Sequence, residues 1–474
     1  MPVIEVLYSE GDAAPGGGEL GFPDLPTHAN GNIVVAPLVT NSPGSTNDGR
    51  TLLRFDADGG RTQLFRTGTP TPDGIGVFGV SFSDAADTPG VFNRLVHIPV
   101  NAAGDVAVLS DIFDSNIAQD AGVFKVASDG TIRQIARRGD AAPDGIGEFG
   151  SFSNISLGET GNVAFNVGIA GTPGLPTSKR ALYLDDGVST VELARVGRNV
   201  AGGPGVYEFM FRPSMDTAGR AAFSAVLRVE DDAGTRFDRG IYLGDGAGVV
   251  PVARTGQAAP GGGTFASFNE QIDSSGDGMI AFSAGISGAP DGSNAGVYRR
   301  NSDGSLTEFV REGQTVPDGK GTYQFFRDPA MNSVGQVAFE VQLDDVTNPS
   351  PSNRMIVRGE TDGSVRQIAR SGQAAPFGDG TFEFLFDPAI NAKGQLAFQA
   401  NVAQTPGQNG VSQIFFFDDT LGLLPVAKSG DLIDGRPINF PLLSFTYGVM
   451  DDTRSGLDDQ GRIAFTAFYS GGES

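Results

Sequence analysis

The sequence predicts an all-β fold, a β-propeller of eight four-stranded blades, and three observations carry that expectation. The first is a recurring phrase, Asn-x-x-Gly-x-x-Ala-Phe. It stands as NSVGQVAF at 332–339 and NAKGQLAF at 391–398, and more loosely as DTAGRAAF at 216–223, NAAGDVAV at 101–108 and DDQGRIAF at 458–465. Degenerate copies surround Gly31, Gly161 and Gly278. The second is a companion phrase, roughly I-A-R-x-G-Q-A-A-P, whose glycine falls at Gly11, Gly68, Gly139, Gly197, Gly256, Gly313, Gly372 and Gly430, at intervals of 57, 71, 58, 59, 57, 59 and 58 residues. A fixed period of this length marks units that bury their apolar faces against one another. The third is composition: 69 Gly and 28 Pro with no sustained 3.6-residue apolar period point to short strands joined by tight turns.

The units run approximately 11–67, 68–138, 139–196, 197–255, 256–312, 313–371, 372–429, and 430–474 together with 1–10. In the unit from 372, Phe382, Phe384 and Phe386 alternate along a first strand, and Leu396, Phe398 and Ala400 share one face of a second. "VSQIFFFDD" reads as a third strand and "LGLLPVAKSG" as a fourth, so each unit is an antiparallel meander. The turn between third and fourth strands is repeatedly Asp-Gly, at 129–130, 186–187, 303–304 and 362–363, which supplies the positive φ of a tight hairpin. Four short strands repeated around an axis make a propeller blade. Seven blades is the alternative if one degenerate end unit fails to pack. The chain opens on a fourth-type strand, 3–9, and closes on a second-type strand, 461–469. N- and C-terminal strands are therefore expected to pair in the last blade, which then lacks a third strand. Truncation, a three-stranded blade, or a strand donated by another subunit would each account for the gap, and an open edge invites pairing.

The net charge of −23 gives no basic footprint for nucleic acid. Of 56 acidic residues 41 are Asp, the type that closes Asx-turns, so abundant hairpins account for much of the bias; a saline or calcium-rich habitat would produce the same excess. The absence of Cys excludes thiolate chemistry and disulfides. No 18-residue apolar run is present that would span a membrane as a helix. Met1-Pro2 leads directly into a strand-like segment with no leader pattern. A Gly/Asp/Ser/Thr-rich, Lys-poor chain of this kind is expected to be secreted or displayed at a cell surface as a trimmed, mature segment.

Aligning the units exposes two columns. Arg66, Arg137, Arg195, Arg254, Arg311, Arg370 and Lys428 lie two residues before the repeat glycine, with Ser9 breaking the set. They are either an anion-binding ring for uronate or sulfate groups or a set of ties from each blade to a neighbouring acid. The second column, four residues before the Asn of the phrase, reads Asp24, His97, Asn154, Arg212, Asn269, Asp328, Asp387 and Arg454. On an innermost strand these polar side chains would line the channel, as a ligand site or as a hydrated wall. His97 is the one plausible general base, while His28 reads as a turn residue. No catalytic triad order or HExxH motif occurs, and no catalytic residue is assigned. "DSSGDG" at 273–278 resembles an oxygen-rich calcium loop, with Asp273 and Asp277 as weak candidate ligands; no other cofactor is expected. The Pro-Asp-Gly loops at 72–74, 143–145 and 317–319 read as turns. The insertion 83–95, just ahead of His97, extends one unit only.

The repeated phrase resembles the NxxGxxAF tandem-repeat family of bacterial exported and surface proteins, over essentially the whole chain. That resemblance implies an exported location and no defined activity. The expected function is non-enzymatic binding of a glycan or protein partner through one propeller face. Two alternatives stand beside it: a structural subunit that self-assembles through the incomplete last blade, and a polysaccharide lyase or hydrolase working in the channel.

Overall fold

The computed structural model describes residues 4–21, 26–40, 49–56, 58–83, 98–113, 115–117, 120–171, 179–345, 352–378, 380–404, 410–443 and 456–469. Their strands form eight antiparallel blades in a ring, an eight-bladed β-propeller, occupying 19–66, 77–137, 148–195, 206–254, 264–311, 322–370, 381–428 and 432–469. Among the described residues no helix is long and apolar enough to cross a membrane.

Blade 6 shows the plan. Its inner strand is split, Thr322–Phe326 and Ala330–Met331, and both pieces pair with Val337–Asp344. Arg354–Gly359 and then Val365–Arg370 complete the sheet. The Ala-Phe pair of the phrase works because neighbouring strand residues face opposite sides of the sheet. Phe339 enters the core shared with blade 5, beside Val297 and Tyr323, whereas Ala338 enters the core shared with blade 7, beside Phe382 and Phe398. A small residue on one side thus makes room for the large ring of the next blade. The ring also stacks on the third strand of its own blade: Phe165 on Tyr183 at 5.9 Å, Phe223 on Tyr242 at 5.5 Å, Phe282 on Tyr298 at 5.7 Å and Phe398 on Phe415 at 5.7 Å. The hydrophobic core is therefore a series of seams between blades rather than one central mass.

The glycine of the phrase turns the chain from the split inner strand into the second strand. Gly335 has φ 88°, and a Cβ there would lie 3.0 Å from Arg299 of blade 5, whose guanidinium donates to the Gly335 carbonyl. Lys125 donates to Gly161 O at 3.0 Å, Arg358 to Gly394 O at 2.6 Å and Arg54 to Gly104 O at 3.2 Å in the same manner. Third strands are thereby tied to the turn of the following blade.

The first position of the phrase fastens the ring near its axis. Asn101 Nδ2 donates to Gly158 O at 3.3 Å, Asn332 Nδ2 to Asn391 O at 2.8 Å, and Asn391 Nδ2 to Asp458 O at 2.7 Å. Asn332, Asn391 and Asp458 line a small cavity of about 40 Å³ that residues of six units share, which locates the axis. The termini meet here too: the His28 Nε2 atom, 1% exposed, lies 3.3 Å from Asp458 Oδ2, and Gln460 donates to Asn30 at 2.7 Å. His28 therefore belongs to the strand Thr27–Ala29 and to the ring closure, not to a turn. In blade 8, Arg436–Leu442 pairs with Thr466–Tyr469. The N-terminal segment reaches this blade through Val6, packed with Ala427, Ile438 and Tyr469, and through Arg436 and Ser9 at 3.4 Å. Contact between the described terminal segments is thus by side chains.

Burial alone would raise the Asp458 carboxyl, but His28 and the backbone and side chain of Arg462 outweigh it and hold the group near 2. A carboxyl depressed below its ordinary value of about 4 contributes stability that is present above pH 4 and lost as pH falls toward 2. Asp458→Asn is expected to cost about 2 kcal/mol at pH 7 and to flatten the stability profile between pH 4 and 2. Denaturant unfolding across that range checks it; an unchanged acid limb would show that ring closure does not depend on this pair.

Candidate ligand-binding site at the channel

Three members of the polar column stand side by side on consecutive blades. Asp328 lies in the break between Thr322–Phe326 and Ala330–Met331, and Asp387 in the corresponding break between Thr381–Leu385 and Ala389–Ile390. Asn269 Nδ2 of blade 5 donates to Asp328 Oδ1 at 2.9 Å. The breaks occur where the inner strand leaves its pairing with the second strand, and both carboxyls are half-buried there. Asn154, with φ 48°, sits at a register shift in Glu148–Leu157, and Arg212 is half-buried just before Ser214–Met215. Asp24, His97, Arg454 and residues 84–95 of the insertion lie outside the described residues.

Three further charges join the row. Glu340, on the second strand of blade 6 and 2% exposed, accepts from Arg354 Nη1 at 2.5 Å, and Arg327 Nε lies 3.7 Å from its other oxygen. Burial pushes Glu340 up to about 7; the neighbouring Asp387 adds to the rise, and Arg354 and Arg327 oppose it. Burial likewise pushes Asp387 up to about 6, opposed by Arg327 and Arg354 and reinforced by Asp328. Asp328 is raised by burial against the hydrogen bond from Asn269. Two guanidinium groups thus face three carboxyls, and a buried charge without full compensation shifts toward its neutral form. The Oδ1 atom of Asp387 is shielded from solvent and, among the described residues, meets no hydrogen-bond donor.

Phenylalanine rings of two inner strands lie under third-strand arginines of the preceding blade. Phe209 of blade 4 lies under Arg180 of blade 3 at 5.0 Å, and Phe384 of blade 7 lies under Arg354 of blade 6 at 3.8 Å. Phe325 is the equivalent ring of blade 6, and Ala295 occupies the blade 5 position where those arginines stand. Arg180, Ala295 and Arg354 each precede the residue that pairs with Arg195, Arg311 or Arg370. Phe325 is accordingly uncovered, 57% exposed, two residues from Arg327.

The cationic column is engaged with loops. Arg137, 3% exposed, binds Asp73, the Ile75 carbonyl at 2.6 Å and Asp120 at 2.5 Å. Arg195 binds Asp144 at 3.0 Å and Glu192 at 2.6 Å; Arg370 binds Asp318 at 2.8 Å and Asp345 at 2.5 Å. Arg311, 1% exposed, holds Glu308 at 2.6 Å and the carbonyls of Pro260 and Gly262, while Arg66 and Arg254 reach the carbonyls of Pro15, Gly17 and Pro204. Each clasps the loop that enters its own blade, so the Pro-Asp-Gly turns double as arginine acceptors. Lys428 places its backbone N–H on Asp431 at 2.9 Å. Asp273 and Asp277 have separate tasks: Asp273 accepts from the Met331 N–H at 2.6 Å, and Asp277 pairs with Arg220 at 2.6 Å. Among the described residues no group of three or more His, Cys, Asp or Glu side chains is placed to hold a metal ion.

Reading single columns missed Glu340, Arg354 and Phe325. The position after the Phe of the phrase reads Asn166, Ser224, Ser283, Glu340, Gln399 and Thr466, so one acid stands in a neutral polar column. Its neighbours use that position to bind the next blade's inner strand: Asn166 donates to the Phe211 carbonyl at 3.1 Å, Ser224 to Glu270 O at 2.7 Å, and Ser283 to Arg327 O at 2.8 Å.

A family model described as "Family of unknown function (DUF7453)" matches residues 3–186, 167–356 and 344–474. No curated protein matches the chain. Among solved structures it is similar to an acylaminoacyl peptidase of Pyrococcus horikoshii, with 12% identity and a TM-score of 0.40 over 86% of this chain and 52% of that one; the chain spans about half that peptidase's length. It is also similar to an ulvan lyase, a polysaccharide lyase, with 11% identity and a TM-score of 0.34 over 89% and 87% of the two chains. A Hadza microbial sialidase gives 13% identity and a TM-score of 0.31 over 75% and 71%. These are similarities of architecture and lend no activity to this chain.

Proposed function

From the premise that this chain belongs to DUF7453, a family of unknown function, we propose that it is a non-enzymatic, cell-surface or extracellular propeller that binds a neutral, hydroxyl-rich glycan at the channel side of blades 5–7. One observation carries the reading: an oxygen of Asp387 on blade 7 meets no donor among the described residues, and the neighbouring blade 6 carries a ring, Phe325, that is 57% exposed. A sugar supplies both deficits at once, an apolar ring face for the aromatic and hydroxyl donors for the carboxylate. Binding favours the ionised carboxyl, which is the stronger acceptor, so affinity should rise between pH 5 and pH 8 as Asp387 and Glu340 lose their protons.

A glycan array of neutral, acidic and amino sugars tests it. Binding to neutral glycans that Phe325→Ala removes is expected, and no binding by correctly folded protein would contradict the reading. The raised carboxyls Asp387 and Glu340 favour one other reading, a lyase- or hydrolase-type enzyme using the same groups. Shortening of a bound glycan, followed by mass spectrometry, would establish that reading in place of the first.

A further inference from the structure

Blade 4 departs from a polar contact that its neighbours keep. In blade 3, Tyr183 stands opposite Glu192 on the third and fourth strands, and one carboxylate oxygen, Glu192 Oε2, accepts from the Tyr183 hydroxyl at 3.2 Å and from Arg195 Nε at 2.6 Å. Blade 5 sets Tyr298 opposite Glu308 in the same register, and Glu308 accepts from Arg311 Nε at 2.6 Å. In blade 4 the residue opposite Tyr242 is Pro251. The cation is retained, since Arg254 pairs with Gly240 as Arg195 pairs with Ala181. Its carboxylate is not: among the described residues the Arg254 guanidinium donates to the Pro204 carbonyl and meets no acid. The same blade gains a hydroxyl. The inner-strand position of Phe149 and Phe265 holds Tyr207, whose ring meets Tyr242 at 5.4 Å as those rings meet Tyr183 and Tyr298 at 5.1 and 5.2 Å.

Three donors result. Tyr207 and Tyr242 are 2% and 0% exposed, and their Oη atoms and Arg254 Nη1 are shielded from solvent with no hydrogen-bond partner among the described residues. A Cβ on Gly240 would lie 2.9 Å from Tyr242 Oη, so that hydroxyl lies over the residue that pairs with Arg254. Burial pushes Tyr207 up to about 12, against the Ala201 N–H and Arg254, and pushes Tyr242 up against Arg254; both hydroxyls therefore keep a proton to donate. The Ala201 N–H acts from outside hydrogen-bond geometry. Asp238, the acid that acts on Tyr242, is paired with Arg236 at 3.2 Å.

We propose that Tyr207, Tyr242 and Arg254 form a buried anion site in the core shared by blades 3 and 4, taking a chloride-sized ion at the point where blade 3 places the Glu192 oxygen. A shielded guanidinium without a counter-charge is costly, and a water molecule would fill its hydrogen bond without neutralising it. The size follows from what the ion replaces, a single oxygen that accepts from one hydroxyl and one guanidinium. Pro251 cannot reach that point, because its ring closes back on its own backbone nitrogen. Gly203 confines the other side, where a Cβ would lie 1.9 Å from Arg254 Nη1.

Melting of the 474-residue chain in sodium chloride and in sodium gluconate at equal ionic strength separates a bound halide from screening. A melting temperature that rises along a saturating curve in chloride alone is expected. Tyr207→Phe, the residue blades 3 and 5 carry there, should weaken chloride binding by about tenfold, as loss of a hydrogen bond to a charged group does. Pro251→Glu restores the carboxylate at an exposed position and should remove the chloride dependence. Arg254→Ala should lose only the Pro204 bond in gluconate, and in chloride the ion as well. In crystals grown with bromide, an anomalous peak is expected within hydrogen-bond reach of Tyr242 Oη. Equal melting in the two salts would overturn the proposal. So would a chloride effect undiminished in Tyr207→Phe, or a water molecule in place of bromide among the three groups.

Discussion

Replacing Arg137 with alanine is expected to cost about 3–5 kcal/mol of stability, the largest effect of any change in the cationic column. The reason lies in what remains. Asp120 is 3% exposed, and both Arg137 nitrogens that reach it, at 3.0 and 2.5 Å, would disappear. An uncompensated carboxylate would be left in the seam, together with a released Asp73 and an unpaired Ile75 carbonyl. Arg254→Ala is the control. That side chain binds the Pro204 carbonyl at 2.8 Å, and losing a bond of this type costs about 1 kcal/mol. Denaturant unfolding of the two variants decides whether the column ties loops to blades or serves anions. Equal small losses, with weakened binding of sulfated or uronate glycans in both, would contradict the structural account.

Asp387→Asn is expected to move stability the other way. Burial holds the Asp387 carboxyl near 6, above its ordinary value of about 4. A group whose folded value is raised takes up its proton more readily in the folded state, so the fold loses stability as pH rises from 4 through 6 and stays lower above that. Two units correspond to about 3 kcal/mol, and coupling to Asp328 and Glu340 shares part of that among the three groups. The neutral amide should therefore raise stability by about 1–2 kcal/mol at pH 8 and leave it unchanged at pH 4. Stability sacrificed at one carboxyl is the pattern of a binding site kept for function. Destabilisation at pH 8 would instead make the Asp387 carboxylate a structural acceptor.

The blade plan was legible because glycine and phenylalanine recur in register, and each has one structural duty, a turn or a seam. Asp328 and Asp387 were legible for a related reason: a polar residue persisting among phenylalanines on the inner strand marks a position outside the seams. Glu340 and Arg354 were not, because they come from second and third strands and meet the inner strand of the next blade only through packing. The exposure of Phe325 was harder still, since it depends on Ala295, thirty residues away on another blade. The arginine column showed its regularity but not its partners, as carbonyls carry no sequence signal. His28 looked like a turn residue because its column holds Asn and Asp elsewhere; its partner Asp458 lies at the far end of the chain.

Calorimetric titration of a neutral glycan identified on the array, against the native chain and Asp387→Asn at pH 7, tests the central claim most directly. A loss of affinity of about tenfold or more in the variant, with its fold intact and its stability raised, is the expected result. Unchanged affinity in Asp387→Asn would place the ligand elsewhere on the propeller and contradict the channel site.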